Sequence, residues 1–275
     1  MKKNTFGFNF ILIALVFALI VSMLSGCSES KKTTVQGTDT GYGIARDISN
    51  TTDGIGRETK TTEETAPPKE RNGIIVCVDP GHGFVDGGCG EGYLGEYLEK
   101  DITLQVALKL KDELIKNGFE VVLTHDGTTI PEGGDSNFNN IFSATERAVY
   151  VNTLDIDYFI SIHVNAFGDD DSVSGMQLYY EQNYNKVNDW SKPIAESISA
   201  SIISHEVDTK SVQLIDYNTL AVTRETHVAA SLLEIGYCTN PTDNENMLSE
   251  SWQNNLAKAV ADGIYDFFKD KIQAK

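Results

Sequence analysis

The chain has 275 residues, 40% of them hydrophobic and 23% charged, with a formal charge of −18. Its hydrophobic content suits a folded globule, and its length admits one large domain or two small ones. The acidity argues against nucleic acid, whose phosphates need Lys and Arg to displace counterions, and against adhesion to anionic lipid by charge alone.

Lys2 and Lys3 precede an uncharged apolar stretch from Phe6 to Leu24, followed by Ser25-Gly26-Cys27. A short basic region, an apolar core and small residues at its end describe an export signal over residues 1–26. Leu24-Ser25-Gly26-Cys27 resembles the lipobox of bacterial lipoproteins, which implies cleavage before Cys27 and a lipid on its sulfur. The competing reading is an uncleaved membrane helix, because the stretch is just long enough to span. Either way the remainder is expected outside the cytoplasm, tethered to the outer face of the cell membrane. Cleavage removes two lysines and no acid, so −18 becomes −20.

Residues 28–72 are rich in Thr, Gly, Ser, Lys and Glu without an apolar period, which reads as a disordered linker closed by Pro67-Pro68. As a flexible coil it averages about 35–40 Å end to end. From Gly73 onward strand-like and helix-like segments alternate, the pattern of an α/β sandwich. The folded part, residues 73–275, is expected to be one α/β domain without internal repeats. Ile74–Val78 is a continuous apolar run, read as a buried strand that Asp79-Pro80-Gly81 halts. His82 is thereby delivered just past the strand, where open α/β sheets place their chemistry. A glycine-rich loop, Gly87 to Gly95, leads to an amphipathic helix over Lys100–Asn117, with Ile102, Val106, Leu110 and Leu114 on one stripe. Phe119–Thr124 reads as the second strand, Ile130–Ser143 as loop and Ala144–Thr153 as helix. Tyr158–His163 is the next strand, followed by an acidic loop and another strand, Gly175–Tyr180. Ile194–Ser204 reads as helix, Ala230–Gly236 as a strand with Glu234 inside it, and Ser251–Phe268 as the closing helix.

His82 and His163 both sit at strand exits beside small residues that leave room for a ligand. A lone histidine so placed is more often structural; two of them with carboxylates in comparable places reverse that expectation. Histidine and carboxylate ligands with an open fourth position make a catalytic zinc site. No His-Glu-x-x-His is present, so the ligands must come from distant segments. A carboxylate near the start of the first helix should complete the set. Glu91, Glu96 and Glu99 compete, and spacing does not separate them. Glu99 has the firmer mount beside the helix start, although a favourable charge at a helix N-terminus explains it equally well. Glu234, between Leu233 and Ile235, is the candidate general base: desolvation raises a carboxyl pKa, and a glutamate so tuned can take a proton from water near neutral pH. The alternative is a strand glutamate facing solvent.

The region Ile74–Phe268 resembles the zinc-dependent N-acetylmuramoyl-L-alanine amidases of the amidase 3 family. The matching pieces are Val78-Asp79-Pro80-Gly81-His82-Gly83, Glu99-Lys100-Asp101, Ser161-Ile162-His163-Val164-Asn165-Ala166 and Leu233-Glu234-Ile235-Gly236-Tyr237. Glu146-Arg147-Ala148, Leu220 with Arg224-Glu225-Thr226, and Asn240-Pro241 match as well, all in the family's order. The resemblance implies a single α/β domain with a central, mostly parallel sheet and helices on both faces. It places His82, Glu99 and His163 on the zinc ligands and Glu234 on the catalytic glutamate. The implied reaction cuts the amide between N-acetylmuramic acid and the first L-alanine of the peptidoglycan stem. Arg224 is a candidate for holding a substrate carboxylate through its bidentate fork, with a structural salt bridge as the alternative. Asn165 is a candidate for substrate binding and for orienting His163.

The chain departs from that family pattern in several places. His125 stands where an arginine often follows the second strand's threonine, and is expected on a surface loop. Cys89 and Cys238 are expected in loops near the site rim and Cys77 inside a strand; whether Cys89 and Cys238 pair as a disulfide in an oxidising compartment is left open by the sequence. Only Phe167–Ser174 separates Ala166 from the next strand, too short for the helical plug some related enzymes insert there. The expected partners are peptidoglycan and, through the lipid, the membrane, with the chain acting as a monomer. Two other readings compete: a non-catalytic wall-binding lipoprotein, and a zinc carboxypeptidase of wall peptides.

Overall fold

A computed structural model describes residues 72–89, 92–132, 134, 140–168, 170–182, 186 and 189–273. The signal segment, Cys27 and the linker up to residue 71 lie outside the described residues. In chain order the elements are β1 (Ile75–Pro80), α1 (Glu99–Lys116), β2 (Glu120–Leu123), α2 (Ala144–Val151), β3 (Tyr158–Asn165) and β4 (Met176–Tyr180). There follow α3 (Ser191–Ser204), β5 (Val212–Asp216), α4 (Ala221–Arg224), β6 (Ala229–Tyr237), α5 (Pro241–Leu248) and α6 (Glu250–Gln273).

The strands form one sheet in the order β2-β1-β3-β6-β4-β5. β2, β1, β3 and β6 run parallel; β4 is antiparallel to β6, and β5 follows β4. The fold is thus an α/β domain around a mostly parallel sheet, with helices on both faces. Alternation along each strand sorts the apolar side chains between the faces. Val76, Val78, Ile160, Ile162 and Leu233 join Ile102, Val106 and Leu110 of α1, Ile194, Ile198 and Ile202 of α3, and Leu256, Val260 and Ile264 of α6 in the larger core. Cys77, Phe159, Ala230 and Leu232 face the other way, against Val151 of α2 and Val222 of α4. Each fully buried aliphatic is worth about 1.5–3 kcal/mol, so both faces hold their helices firmly.

On the smaller face the apolar lining gives out toward the carboxyl ends of the parallel strands. Two residues beyond Cys77 comes Asp79; beyond Phe159 come Ser161 and His163; beyond Leu232 comes Glu234. Asp79 is wholly buried and accepts hydrogen bonds from Thr124 Oγ1 at 2.6 Å, Ser161 Oγ at 2.6 Å and Arg147 Nε at 3.1 Å. Arg147, equally buried on α2, also donates to the Phe142 carbonyl at 2.6 Å. A paired, hydrogen-bonded charge is tolerated at that depth where a lone one is not. This network welds β1, β3 and α2 together directly beneath the strand ends.

Three elements were not anticipated. β5 is an edge strand whose residues are half-buried or exposed, so its alternation is weak. α4 is only four residues long. α5 begins with Pro241 at its first turn, and the Asn240 side chain caps it by accepting from the N–H groups of Thr242 and Asp243, a start signal present in the sequence. The closing helix also runs on to Gln273.

Candidate metal centre

The loop after β1 is pinned on several sides. Gly81 N–H donates to the Ile162 carbonyl at 2.8 Å, and Thr103 Oγ1 of α1 donates to the Gly81 carbonyl at 2.8 Å. His125 Nε2 donates to the Pro80 carbonyl at 2.9 Å while its Nδ1 accepts from Gly127 N–H at 3.2 Å. His125 is therefore buried, contrary to the surface position expected for it; a carbonyl left by the turning strand needs a donor, and Phe84 and Phe142 enclose the ring. Burial pushes its imidazole pKa down, consistent with a neutral structural donor. So anchored, His82 adopts φ 63°, a left-handed conformation uncommon outside glycine.

His82, Glu99 and His163 come together from β1's exit, α1's first turn and β3's end, and one ligand atom of each lies within 4.8 Å of the others. Glu99 Oε1 is 3.3 Å from His82 Nε2 and 3.1 Å from His163 Nδ1. The two rings meet edge to face with centroids 5.0 Å apart. Glu99 is buried and held by two backbone donors, Val164 N–H to Oε1 at 2.8 Å and Cys89 N–H to Oε2 at 2.8 Å. Of the competing carboxylates among the described residues, Glu99 is brought to the histidines and Glu96 is exposed; Glu91 lies outside the described residues. Gly81 and Gly88 leave the space. A Cβ on Gly81 would sit 2.6 Å from the His163 ring, and one on Gly88 2.5 Å from Glu99 Oε2 and 2.8 Å from His82 Cδ2.

Burial alone would push the His82 imidazole down, but the carboxylates of Asp86 and Glu99 outweigh it and raise the pKa to about 10. Burial would push Glu99 up, yet hydrogen bonds from His163 and His82 hold it well below the usual carboxylate range. His163 Nε2 is buried and has no hydrogen-bond partner among the described residues. Asp86 accepts from His82 Nδ1 at 2.9 Å, so Nε2 is the atom aimed at Glu99; a carboxylate on the far nitrogen is the usual way a ligating imidazole is oriented. Sequence reasoning missed Asp86, although its spacing of four residues from His82 was visible. Two imidazoles and one carboxylate are a donor set that fits zinc in its catalytic rather than structural form.

Glu234 stands opposite His163 in the β3–β6 register, immediately before a bulge in that pairing. One of its carboxyl oxygens is buried and has no partner among the described residues. Burial raises its pKa well above the ordinary value; the charge of Glu99 adds to this and that of His82 opposes it. On the other side Gln177 of β4 is in register with Glu234 and accepts from Asn165 Nδ2 at 2.8 Å and Tyr179 Oη at 2.7 Å. Asn165 thus orients Gln177, not His163 as expected. Its own Oδ1 accepts from Ala166 N–H at 2.9 Å.

Arg224 is placed elsewhere. Its guanidinium binds Glu225 Oε1 at 2.8 Å and the Thr219 carbonyl at 3.1 Å. Its charge acts to lower the pKa of Glu181, the residue just past β4. The salt-bridge alternative describes these contacts. Cys89 and Cys238 meet with sulfurs 3.6 Å apart as free thiols, and Cys77 is buried in β1. β3 connects to β4 through residues 166–175.

Two histidines from strand exits and a buried glutamate from the first turn of α1 thus meet beside a second, desolvated glutamate at one end of a mostly parallel α/β sheet, as a candidate metal site. The chain belongs to the amidase 3 family, described as N-acetylmuramoyl-L-alanine amidase, which matches residues 76–266. It is 30% identical over 203 residues to the germination-specific N-acetylmuramoyl-L-alanine amidase of Bacillus subtilis, covering 73% of this chain and 82% of that protein. It is 28% identical to the probable cell wall amidase LytH of Staphylococcus epidermidis, covering 71% of this chain and 59% of the relative. The crystal structure of N-acetylmuramoyl-L-alanine amidase from Clostridium difficile 630 superposes with a TM-score of 0.62 at 29% identity, covering 73% of this chain and 99% of that one.

Proposed function

We propose that the chain is a zinc-dependent peptidoglycan amidase that cleaves the bond between N-acetylmuramic acid and L-alanine of the stem, in cell-wall remodelling or lysis. What carries the reading is the convergence of His82, Glu99 and His163 within 4.8 Å, next to the desolvated Glu234. In this reading His82, Glu99 and His163 hold the zinc. When bound, zinc supplies Lewis acidity, which polarises a carbonyl and acidifies water. Glu234 takes the proton of the attacking water on a carboxylate oxygen and returns it to the departing nitrogen of L-alanine. Its raised affinity for protons suits both halves of that exchange. Gln177, fixed by Asn165 and Tyr179, lines the same end of the sheet and is placed to orient substrate. Arg224 enters substrate binding only where the stem reaches the far end of β4.

The reading extends to the whole chain. Residues 1–26 act as a signal peptide, Cys27 carries the lipid, residues 28–72 form the tether, and residues 73–275 are the catalytic domain, working as a monomer at the outer face of the membrane. The lipobox-like sequence and relatives named as cell wall amidases support this. The test is digestion of purified peptidoglycan by the mature chain, with and without a chelator. New free L-alanine amino ends that vanish with chelation support the amidase; trimmed stem C-termini point to a carboxypeptidase, and wall binding without cleavage to a recruiter. Glu234→Gln should lower the rate by about 10²–10⁴-fold while keeping metal and fold; undiminished activity removes Glu234 from the base role.

A further inference from the structure

Cys89 and Cys238 lie 149 residues apart in the chain and 3.6 Å apart at their sulfurs. The mechanism above uses neither. Their settings differ in a way that matters. Cys238 directly follows β6: it is buried, and its N–H is tied to the Asn165 carbonyl at the end of β3 at 2.8 Å. Cys89 is half-buried in the glycine-rich loop, its Sγ–H making a weak bond to the Val164 carbonyl at 3.2 Å. The same residue's N–H donates to Glu99 Oε2 at 2.8 Å. Whatever fixes Cys89 therefore also fixes the carboxylate between the two histidines. We infer that Cys89 and Cys238 form a redox clasp: they close to a disulfide that fastens the glycine-rich loop to the end of β6 and holds the Cys89 amide against Glu99.

The geometry needs little change. A disulfide brings its sulfurs to about 2.05 Å, so they must approach by roughly 1.5 Å, within reach of rotation about the two Cα–Cβ bonds. The loop side can also give, because Gly87 and Gly88 precede Cys89 and Gly92 follows it, Gly88 and Gly92 at φ +70° and +82°. The oxidant is a disulfide of small-molecule or protein class. The hydrogen bond with Cys238, burial and the Glu99 charge push the Cys89 thiol up, so Cys89, the more exposed thiol, attacks only from its small deprotonated fraction; one S–S bond breaks, and the first thiol leaves with the electron pair and takes up a proton. Cys238 then attacks Cys89 Sγ in the mixed disulfide and expels the second thiol. Two electrons and two protons pass from the pair to the oxidant. Cys77, enclosed in the smaller core, takes no part.

The clasp stands on the two sulfurs, whereas its effect on Glu99 rests on the metal reading. The experiment treats the full-length, zinc-loaded chain with oxidised glutathione or with a phosphine reductant. Free thiols are then alkylated, the protein is digested, and the peptides are mapped by mass. The expected result is one cross-linked species joining Cys89 to Cys238, lighter by two hydrogens. The oxidised protein should melt several degrees higher, as closure of so long a loop implies, and release zinc to a chelator several-fold more slowly. Cys238→Ser and Cys89→Ser should each abolish all three effects. Separate glutathione adducts on the two cysteines, or free alkylation of both after oxidation, overturn the clasp. A linked pair whose zinc leaves at the reduced protein's rate overturns its hold on Glu99. A linked pair in a chain that takes up no zinc supports the clasp and sinks the metal reading.

Discussion

Gly81→Ala tests the geometry of the site more sharply than removing a ligand does. A Cβ there would stand 2.6 Å from His163 Cε1, 2.6 Å from His163 Nδ1 and 2.6 Å from the Ile162 carbonyl oxygen, where ordinary contact begins at 3.4 Å. Something must move by about 0.8 Å. The Ile162 carbonyl belongs to the middle of β3 and accepts the Gly81 N–H at 2.8 Å, so it has little freedom. The imidazole must yield. Its Nδ1 is 3.1 Å from Glu99 Oε1, and a displacement of about 0.8 Å takes that contact beyond hydrogen-bond range. Ligand distances in a metal site tolerate only about 0.2 Å, so zinc affinity should fall by about 10–100-fold, as when an orienting partner is lost. Overpacking should also cost about 1–3 kcal/mol, or roughly 2–12 °C in Tm for a domain of this size. Gly95→Ala is the control. At φ +65° with nothing within 4 Å of its added Cβ, it should lose about 1–2 kcal/mol to backbone strain and keep its zinc affinity. Competition against a chromophoric chelator measures affinity, and thermal melting measures stability. Gly81→Ala with unaltered zinc affinity would refute the reasoning, because the ring would then not be confined by that glycine.

Other consequences follow from particular contacts. Arg147→Met leaves the Asp79 carboxylate buried with only its two hydroxyl donors, and should cost about 3–5 kcal/mol, read as a Tm lowered by roughly 6–20 °C; a loss under 1 kcal/mol would mean the pair does not hold the strand ends. Because the carboxylates of Asp86 and Glu99 raise His82 to about 10, the metal-free protein carries a proton there throughout the neutral range. Zinc must displace it, so apparent affinity should rise with pH from 6 to 9 by up to about tenfold per unit, with a proton released on binding; a flat profile contradicts this. Gly263→Ala places a Cβ 2.6 Å from the Ile198 Cα, where α6 crosses α3. It should cost about 1–3 kcal/mol and leave zinc affinity unchanged, as chelator competition would show.

His82, His163 and Glu234 were legible because each is a polar residue at or near the end of an apolar run, a local pattern that the sheet then lines up side by side. Glu99 was not separable from Glu91 and Glu96 by the same logic. What selects it is burial against the Val164 and Cys89 amides, and those pairings depend on a fold that brings residue 99 beside residue 164. The same limit explains Asn165. Its neighbour in sequence is the ligand side, but its partner in space is Gln177 on a strand whose antiparallel pairing with β6 is invisible in periodicity. His125 looked like a loop residue because it follows a strand and precedes Asp126-Gly127; the need of the Pro80 carbonyl for a donor drew it inward. By contrast α5 was legible in principle, since Asn240-Pro241 with Asp243 is a complete helix start.

The arrangement also locates where the energy of assembling the site is met. His82 at φ 63° costs about 1–2 kcal/mol. Around it stand hydrogen bonds from Thr103 to the Gly81 carbonyl, from Gly81 to Ile162, from His125 to the Pro80 carbonyl and from Lys100 to the Phe84 carbonyl. At about 1 kcal/mol each, they offset this strain together with that of Phe84 at φ 56°, and all of them form when α1, β2 and β3 pack on β1. The left-handed turn is therefore a product of folding and needs nothing from a ligand. Glu99 is likewise fixed by backbone donors before any cation arrives. In the proposed reading a divalent cation would replace the proton that Asp86 and Glu99 hold on His82.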